Sequence, residues 1–259
     1  MLHRPEPDGF TYISQPAHSW VSGQLARAWG NDLFGQVTPA EEVFLAASLH
    51  DLGFLEWERN PTLDHATDRP YSFMELPTDL HLNLWSRGVL EMQAYNPYAR
   101  LLVSFHYTGL AERHPVSNPP EEAQLQKKFL EEQRALQASL LQDLRRDKYY
   151  AGFCDGGTLE RNRRLISIWD WMSLLIGMGT DKPVTIEQVP AANGTISLEV
   201  LPCAPSLVRL RIVPWPFRTE TLLLRIPAKR LNETFTDQEL MRQAFAAAPI
   251  ENLSVEVVP

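Results

Sequence analysis

Six side chains in this 259-residue sequence are of types that could do chemistry together: His18, His50, Asp51, His81, His106 and Asp170. Four of the seven histidines, His18, His50, His81 and His106, fall in stretches that read as helices with apolar surroundings. His50 closes the apolar run 43–49, His106 closes the run 101–105, and His81 sits between Leu80 and Leu82. An imidazole on an apolar face has two ring nitrogens to satisfy, and a polar group buried without a partner costs about 1–3 kcal/mol. One such residue is ordinarily a core histidine bonded to a carbonyl. Four of them on four consecutive helices invite a common explanation. A metal ion is the natural one, because neutral imidazole is the commonest metal-ligating side chain.

Two carboxylates strengthen that reading. Adjacent helical residues point about 100° apart, so His50 and Asp51 cannot chelate as an i, i+4 pair would. At a helix end, however, they can place an imidazole and a carboxylate around one ion. Asp170 lies inside Ile166-Ser167-Ile168-Trp169-Asp170-Trp171-Met172, and a lone carboxylate in such company is costly unless it is paired or bound to metal. The two cysteines, Cys154 and Cys203, are far apart and outside any CxxC pair. That excludes a thiolate zinc site and argues against a disulfide framework. Nitrogen and oxygen donors suit Fe, Mn, Zn, Ni or Co better than Cu(I).

The elements that must position these residues are read from periodicity and caps. Residues 1–14 read as an extended arm with a short strand at 10–13. A helix at 16–29 follows, with Ser14 as its cap and Pro16 in its first turn. Thr38-Pro39-Ala40-Glu41 reads as a capping box that opens a second helix, which ends near Gly53. Residues 56–77 read as a long loop, the kind of segment that is often functional. Helices are expected at 78–93, 97–110, 121–148 and 158–178. Short strands are expected at 184–188, 195–201, 207–213, 221–226 and 253–258, with a helix opened by the capping box Thr236 to Glu239. The fold class expected is mainly α, a helical body of residues 1–182 followed by a small C-terminal β-rich (α+β) subdomain of residues 183–259. Three roles stay open for that subdomain: covering the body, lining the pocket, or forming a homodimer interface.

Charge and composition narrow the partners. A net charge of −8 leaves no basic footprint for nucleic acid, and the cluster Arg161, Arg163 and Arg164 reads as a solvated helix start. No apolar run reaches the 18 or so residues of a spanning helix, and the N-terminus has no signal-like apolar region. The expectation is a cytoplasmic protein with a small-molecule substrate and no membrane or nucleic-acid partner. Other residues have lesser claims. His65, with Asp64, Asp68 and Arg69, lies in the long loop, which could cover a pocket. Arg87 and Arg100 could receive an anionic substrate, though surface pairing is the default. Tyr12 and Gln15 could reach the pocket from just before His18. His3 and His114 read as exposed, and the Trp169/Trp171 pair as core.

A histidine on one helix, a His-Asp pair at the end of the next and an aspartate on a late helix form the pattern of the HD-domain superfamily. The sequence resembles it through His18, His50-Asp51 and Asp170, and through Phe44-Leu45-Ala46-Ala47-Ser48-Leu49-His50-Asp51-Leu52-Gly53. The resemblance covers roughly residues 12–178, and His81 and His106 resemble the two extra histidines of its two-metal members. The whole chain also resembles a bacterial HD-like family of unknown function that ends in a β segment containing Trp-Pro-Phe, here Trp215-Pro216-Phe217. The resemblance implies that His18, His50, Asp51 and Asp170 hold one metal ion. Asp51 would bridge to a second ion held by His81 and His106, with Asp51, His81 and His106 nearest the chemistry. It implies a phosphohydrolase that cleaves a small phosphoester or phosphoanhydride with a metal-activated water. Two alternatives stay open: a di-iron oxygenase of a small organic substrate, and a non-catalytic ligand-binding or sensor protein. The sequence lacks the GYP-type signature of cyclic-dinucleotide phosphodiesterases and a Lys/Arg cluster around the ligands. Nucleoside triphosphates and tRNA ends are therefore poor substrates on this reading.

Overall fold

In the computed structural model, which describes residues 1–203 and 209–259, the helices follow the apolar periodicity of the sequence. α1 (Gln15–Ala28) starts at Ser14, whose hydroxyl accepts from the Ala17 amide at 3.1 Å. α2 (Ala40–Leu49) occupies the expected stretch without the expected capping box: Pro39 stands at the cap and makes no side-chain bond. α3 (Leu55–Arg59) is a short helix where a loop is expected. α4 (Thr78–Glu91), α5 (Pro97–Arg113), α6 (Pro120–Leu144) and α7 (Gly156–Met178) complete the helical layer. Asn96 caps α5 and Asp155 caps α7. α8 (Gln238–Ala247) is capped by Asp237, one residue beyond the expected Thr236.

The expectation of a mainly α chain with a small C-terminal β segment is overturned. β1 (Leu2–Glu6) and β2 (Gly9–Ile13) form a hairpin at the N-terminus. The C-terminal part adds β5 (Val184–Pro190), β6 (Thr195–Pro202), β7 (Arg209–Val213), β8 (Leu222–Leu231) and β9 (Glu251–Val258). Together they make one seven-stranded sheet in the order β1-β2-β8-β9-β7-β6-β5, so the fold is α+β. The seam between the two ends of the chain is β2 with β8, in the register Phe10–Leu231, Thr11–Arg230 and Tyr12–Lys229. Among the described residues only β7 and β9 run parallel. Residues 207 and 208 of one expected strand lie outside the described residues. In the expected loop, β3 (Leu63–Asp64) and β4 (Arg69–Pro70) form a separate two-stranded ribbon.

The sheet packs on the helices through a continuous apolar core. Leu25 of α1, Trp29 just past its end, Leu102 of α5 and Trp169 of α7 share it with Leu224, Ile226, Val255 and Val257 of the sheet. The Trp215-Pro216-Phe217 segment fastens the sheet side to the end of α1. The Gly30 amide donates to the Pro216 carbonyl at 2.9 Å, and Phe217 meets Trp29 edge-on with ring centroids 5.8 Å apart. α8 covers β2 and β8 through a smaller cluster that contains Tyr12, Met241 and Phe245. No helix among the described residues is long and apolar enough to cross a membrane.

Gly53 does more than end α2. A Cβ at this position would lie 2.1 Å from the Leu84 carbonyl oxygen and 2.5 Å from the Gly88 nitrogen, so the backbone after His50-Asp51 touches the backbone of α4. Gly53→Ala should therefore force the two segments apart. The expected loss is about 1–3 kcal/mol in chemical denaturation, the usual range for overpacking a core. An unchanged denaturation midpoint would show that the contact is not a constraint.

Candidate metal centre

Local backbone geometry lets the His-Asp pair converge. α2 stops at His50, and Asp51 leaves the helix at φ −100° and ψ 22°. The 100° divergence of adjacent helical residues is thereby lost, and both side chains turn to one side. The Tyr107 hydroxyl of α5 hydrogen-bonds the freed His50 carbonyl and lies 3.1 Å from Asp51 Oδ1. α1 supplies His18, α5 supplies His106 and α7 supplies Asp170. All five are buried, with His50 wholly out of contact with solvent and Asp170 the most exposed at 7 %.

The ligand atoms form a compact set. His18 Nε2 lies 2.8 Å from Asp51 Oδ2 and 3.5 Å from Asp170 Oδ1. His50 Nε2 lies 3.5 Å from Asp51 Oδ2 and 3.3 Å from Asp170 Oδ1. Two ligands at right angles, each about 2.1 Å from an ion, stand about 3 Å apart, so these four spacings suit one coordination shell. His106 Nε2 joins at 3.6 Å from the other oxygen, Asp170 Oδ2. Two overlapping groups at ligand distance result: His18, His50 and Asp51, and His50, His106 and Asp170. Such buried His/Asp groups can hold a metal ion.

The surrounding hydrogen bonds fix which nitrogen faces the set. His50 Nδ1 lies 3.0 Å from the Ala47 carbonyl, which can only accept, so this nitrogen carries the proton. Ser173 donates to the Asp170 carbonyl at 2.7 Å, and His18 Nδ1 donates to the Ser173 oxygen at 2.6 Å. In the neutral rings both Nε2 lone pairs therefore point at carboxylates. That arrangement is repulsive unless a cation stands between, and it is the usual second layer around metal-bound imidazoles. His50 Nε2 and His106 Nδ1 have no hydrogen-bond partner. The donor set thus fits a divalent ion.

Without an ion, protons must take its place. Burial works against charging His50, but Asp51 and Asp170 outweigh it and hold its pKa at about 9. Burial likewise opposes ionisation of Asp51 and Asp170, and the neighbouring imidazoles still hold both below the usual carboxylate range. Burial brings His106 down to about 4, against the pull of Asp170.

The cluster opens onto a cavity of about 880 Å³ with a largely apolar wall. His81 lies in that wall, tilted on Trp85 at 4.5 Å between centroids and edge-on to Phe54; burial lowers its pKa to about 4. It belongs to neither ligand-distance group. Gln15 reaches the cavity, and its Oε1 is buried without a partner. Tyr12 does not, because it packs under α8 against Phe245. Of the tryptophan pair, Trp169 is core and Trp171 is 41 % exposed and lines the cavity. The segment expected as a covering loop contributes Phe73, Met74 and Leu76, while His65 is exposed. β5 contributes Thr185, Ile186 and Glu187, so the C-terminal part lines the pocket. His3 is half-buried against Tyr12, and His114 is exposed at the cavity edge.

The arginines expected to receive an anion are engaged elsewhere. Arg87 pairs with Glu56, and Arg100 donates to the Val89 carbonyl. Arg113 and Arg164 line the cavity instead. Neither was singled out as an anion receiver in the sequence, although Arg113 lies seven residues after His106 and so repeats its helical face. Arg161 and Arg164 bond backbone carbonyls and Arg163 pairs with Glu160, so this cluster is mostly structural.

In the metal-free protein, His50 favours folding fully below its unfolded value of 6.5, and that contribution is lost as pH rises to about 9. Denaturation in a chelator should show stability falling across this window. A flat profile would rule out a protonated His50. His50→Ala and Asp170→Ala should each abolish metal retention, read by elemental analysis. Full metal content in both variants would sink the site.

No curated protein and no solved structure matches the chain. A family model described as "Protein of unknown function (DUF3891)" matches residues 1–233, and the chain belongs to that family.

Proposed function

We propose that the protein is a metal-dependent hydrolase of the HD type that cleaves a small phosphoester or phosphoanhydride. One observation carries the reading: two imidazole lone pairs and two carboxylates converge at coordination spacing, buried, at the edge of a ligand-sized cavity. The order His18, His50-Asp51, Asp170 along the chain supports the HD comparison, which remains an analogy of motif. A divalent ion held there would lower the pKa of water from about 15.7 to roughly 7 and so supply a nucleophile at neutral pH.

The chain's own residues prepare the rest. Ser173 and the Ala47 carbonyl hold the two imidazoles with Nε2 inward, and Tyr107 holds Asp51 against rotation. His106 is neutral at pH 7 and lines the cavity, so it can help orient a bound substrate. His81 offers a second neutral imidazole from across the cavity. Apolar walls thin the water around these groups and strengthen their electrostatic action.

His81 stands apart from both ligand groups, which favours one ion over two. The di-iron oxygenase reading needs His81 as a ligand. Elemental analysis of the purified protein should give close to one divalent ion per chain, and His81→Ala should leave that content unchanged. Two irons per chain, falling to one in His81→Ala, would replace this reading with the oxygenase. The loaded protein should hydrolyse at least one member of a phosphoester panel, with activity lost in His50→Ala. No turnover by fully loaded protein would overturn the hydrolase.

A further inference from the structure

We propose that Arg113 and Arg164 form an anion-binding end of the cavity, and that its ligand carries an anionic group there and an apolar body that spans from it toward the ester bound at the His/Asp cluster. The proposal deepens the hydrolase reading and rests on it in one respect, that the cluster is the reacting end.

The two helices that line the cavity carry the same order of groups. On α5, His106, Leu110 and Arg113 share one face at i, i+4 and i+7, and all three line the cavity. Seven residues at 1.5 Å each put Arg113 about 10 Å from His106 along the axis. On α7, Arg164 precedes Asp170 by six residues, about 9 Å by the same rise. His106 faces Asp170 at 3.6 Å at one level, and the charges of Arg164 and Arg163 act on Arg113 at the other. The cavity thus has a ligand-rich floor, a cationic mouth and a distance of about 10 Å between them.

Neither cation is neutralised. Among the described residues Arg113 has no carboxylate partner and no hydrogen bond. Arg164 is held by the Glu187 and Gln188 carbonyls at 2.7 and 3.1 Å, contacts that aim the guanidinium without cancelling its charge. The Glu187 carboxylate is bonded to Ser197 instead, and Arg163 is taken by Glu160. Between mouth and floor the wall includes Leu110 and Ile168, and Trp171 and Leu174 extend the apolar lining beyond Asp170. A guanidinium fork matches a carboxylate or phosphate, and such a wall matches an alkyl or aryl body.

The test titrates the full-length protein, as purified with its metal, with octanoate, octyl phosphate, octanol and acetate. Binding is followed by calorimetry and by the fluorescence of the wall tryptophans Trp85 and Trp171. One of the octyl anions should bind at least tenfold tighter than octanol, and acetate should not compete. Which anion wins identifies the head group. Arg113 is exposed and bonded to nothing, so Arg113→Gln should fold normally, keep its metal content, bind octanol as before and lose the preference for the anion. Equal binding of octanol and both anions would overturn the proposal. So would a preference that survives in Arg113→Gln, since the anion would then be on the metal. If the preference is found in a protein that retains no metal, the ligand assignment stands and the hydrolase reading falls.

Discussion

Two carboxylates and three imidazoles share a largely buried corner of the cavity, and the rest of the structure is arranged around keeping that cluster electrically balanced. An isolated buried carboxylate is costly enough that it ordinarily neutralises by taking up a proton. Here Asp51 and Asp170 are held below the usual carboxylate range because His18, His50 and His106 surround them. The balance is collective. Removing one member leaves the others with uncompensated charge, which is why breaking a buried pair costs far more than the pair contributes.

Such a cluster needs rigid walls. The backbone after Asp51 rests against α4 with room for no side chain at Gly53, and the Tyr107 hydroxyl bonds the His50 carbonyl. His18 is aimed by Ser173, which itself lies 3.0 Å from Ser22, so α1 and α7 are tied together by hydroxyls directly behind the ligands. One turn further on, Trp29, Trp169 and Phe217 pack edge to face and join the helices to the sheet. The sheet therefore takes part in the site twice. It braces α1, and through β5 it completes the cavity wall.

The cavity separates its tasks in space. The ligating side chains gather at one end of the cavity, Arg113 and Arg164 line it about 10 Å along their helices, and apolar side chains make up much of the remaining wall. Apolar walls supply binding without orientation, and a few polar groups at fixed distances supply the orientation. His81 and His106 line the cavity, and their low basicity follows mainly from burial, aided by the N-terminal charge at His81 and by His50 and Arg113 at His106, which together outweigh the carboxylates.

The sequence by itself determined what is local. Helices α1, α2, α4, α5, α6 and α7 were legible because apolar periodicity is written within each segment, and Ser14 capped α1 as read. His18, His50, Asp51, His106 and Asp170 were legible as a set because ionisable residues inside apolar runs demand partners. Two caps differ from the reading: Asp237 rather than Thr236 caps α8, and α2 starts at Pro39 with no side-chain cap where Thr38 is expected. Tertiary structure alone decided the sheet. β1 and β2 form a local hairpin of five residues each, and what joins it to the C-terminal strands is the hydrogen bonding of β2 to β8, more than two hundred residues away. It also decided that His81 stands on Trp85 apart from the ligand groups, and that Arg113 rather than Arg87 or Arg100 faces the cavity. An arginine's sequence neighbours fix its helical face, but which neighbouring helix that face meets is set only when the helices pack.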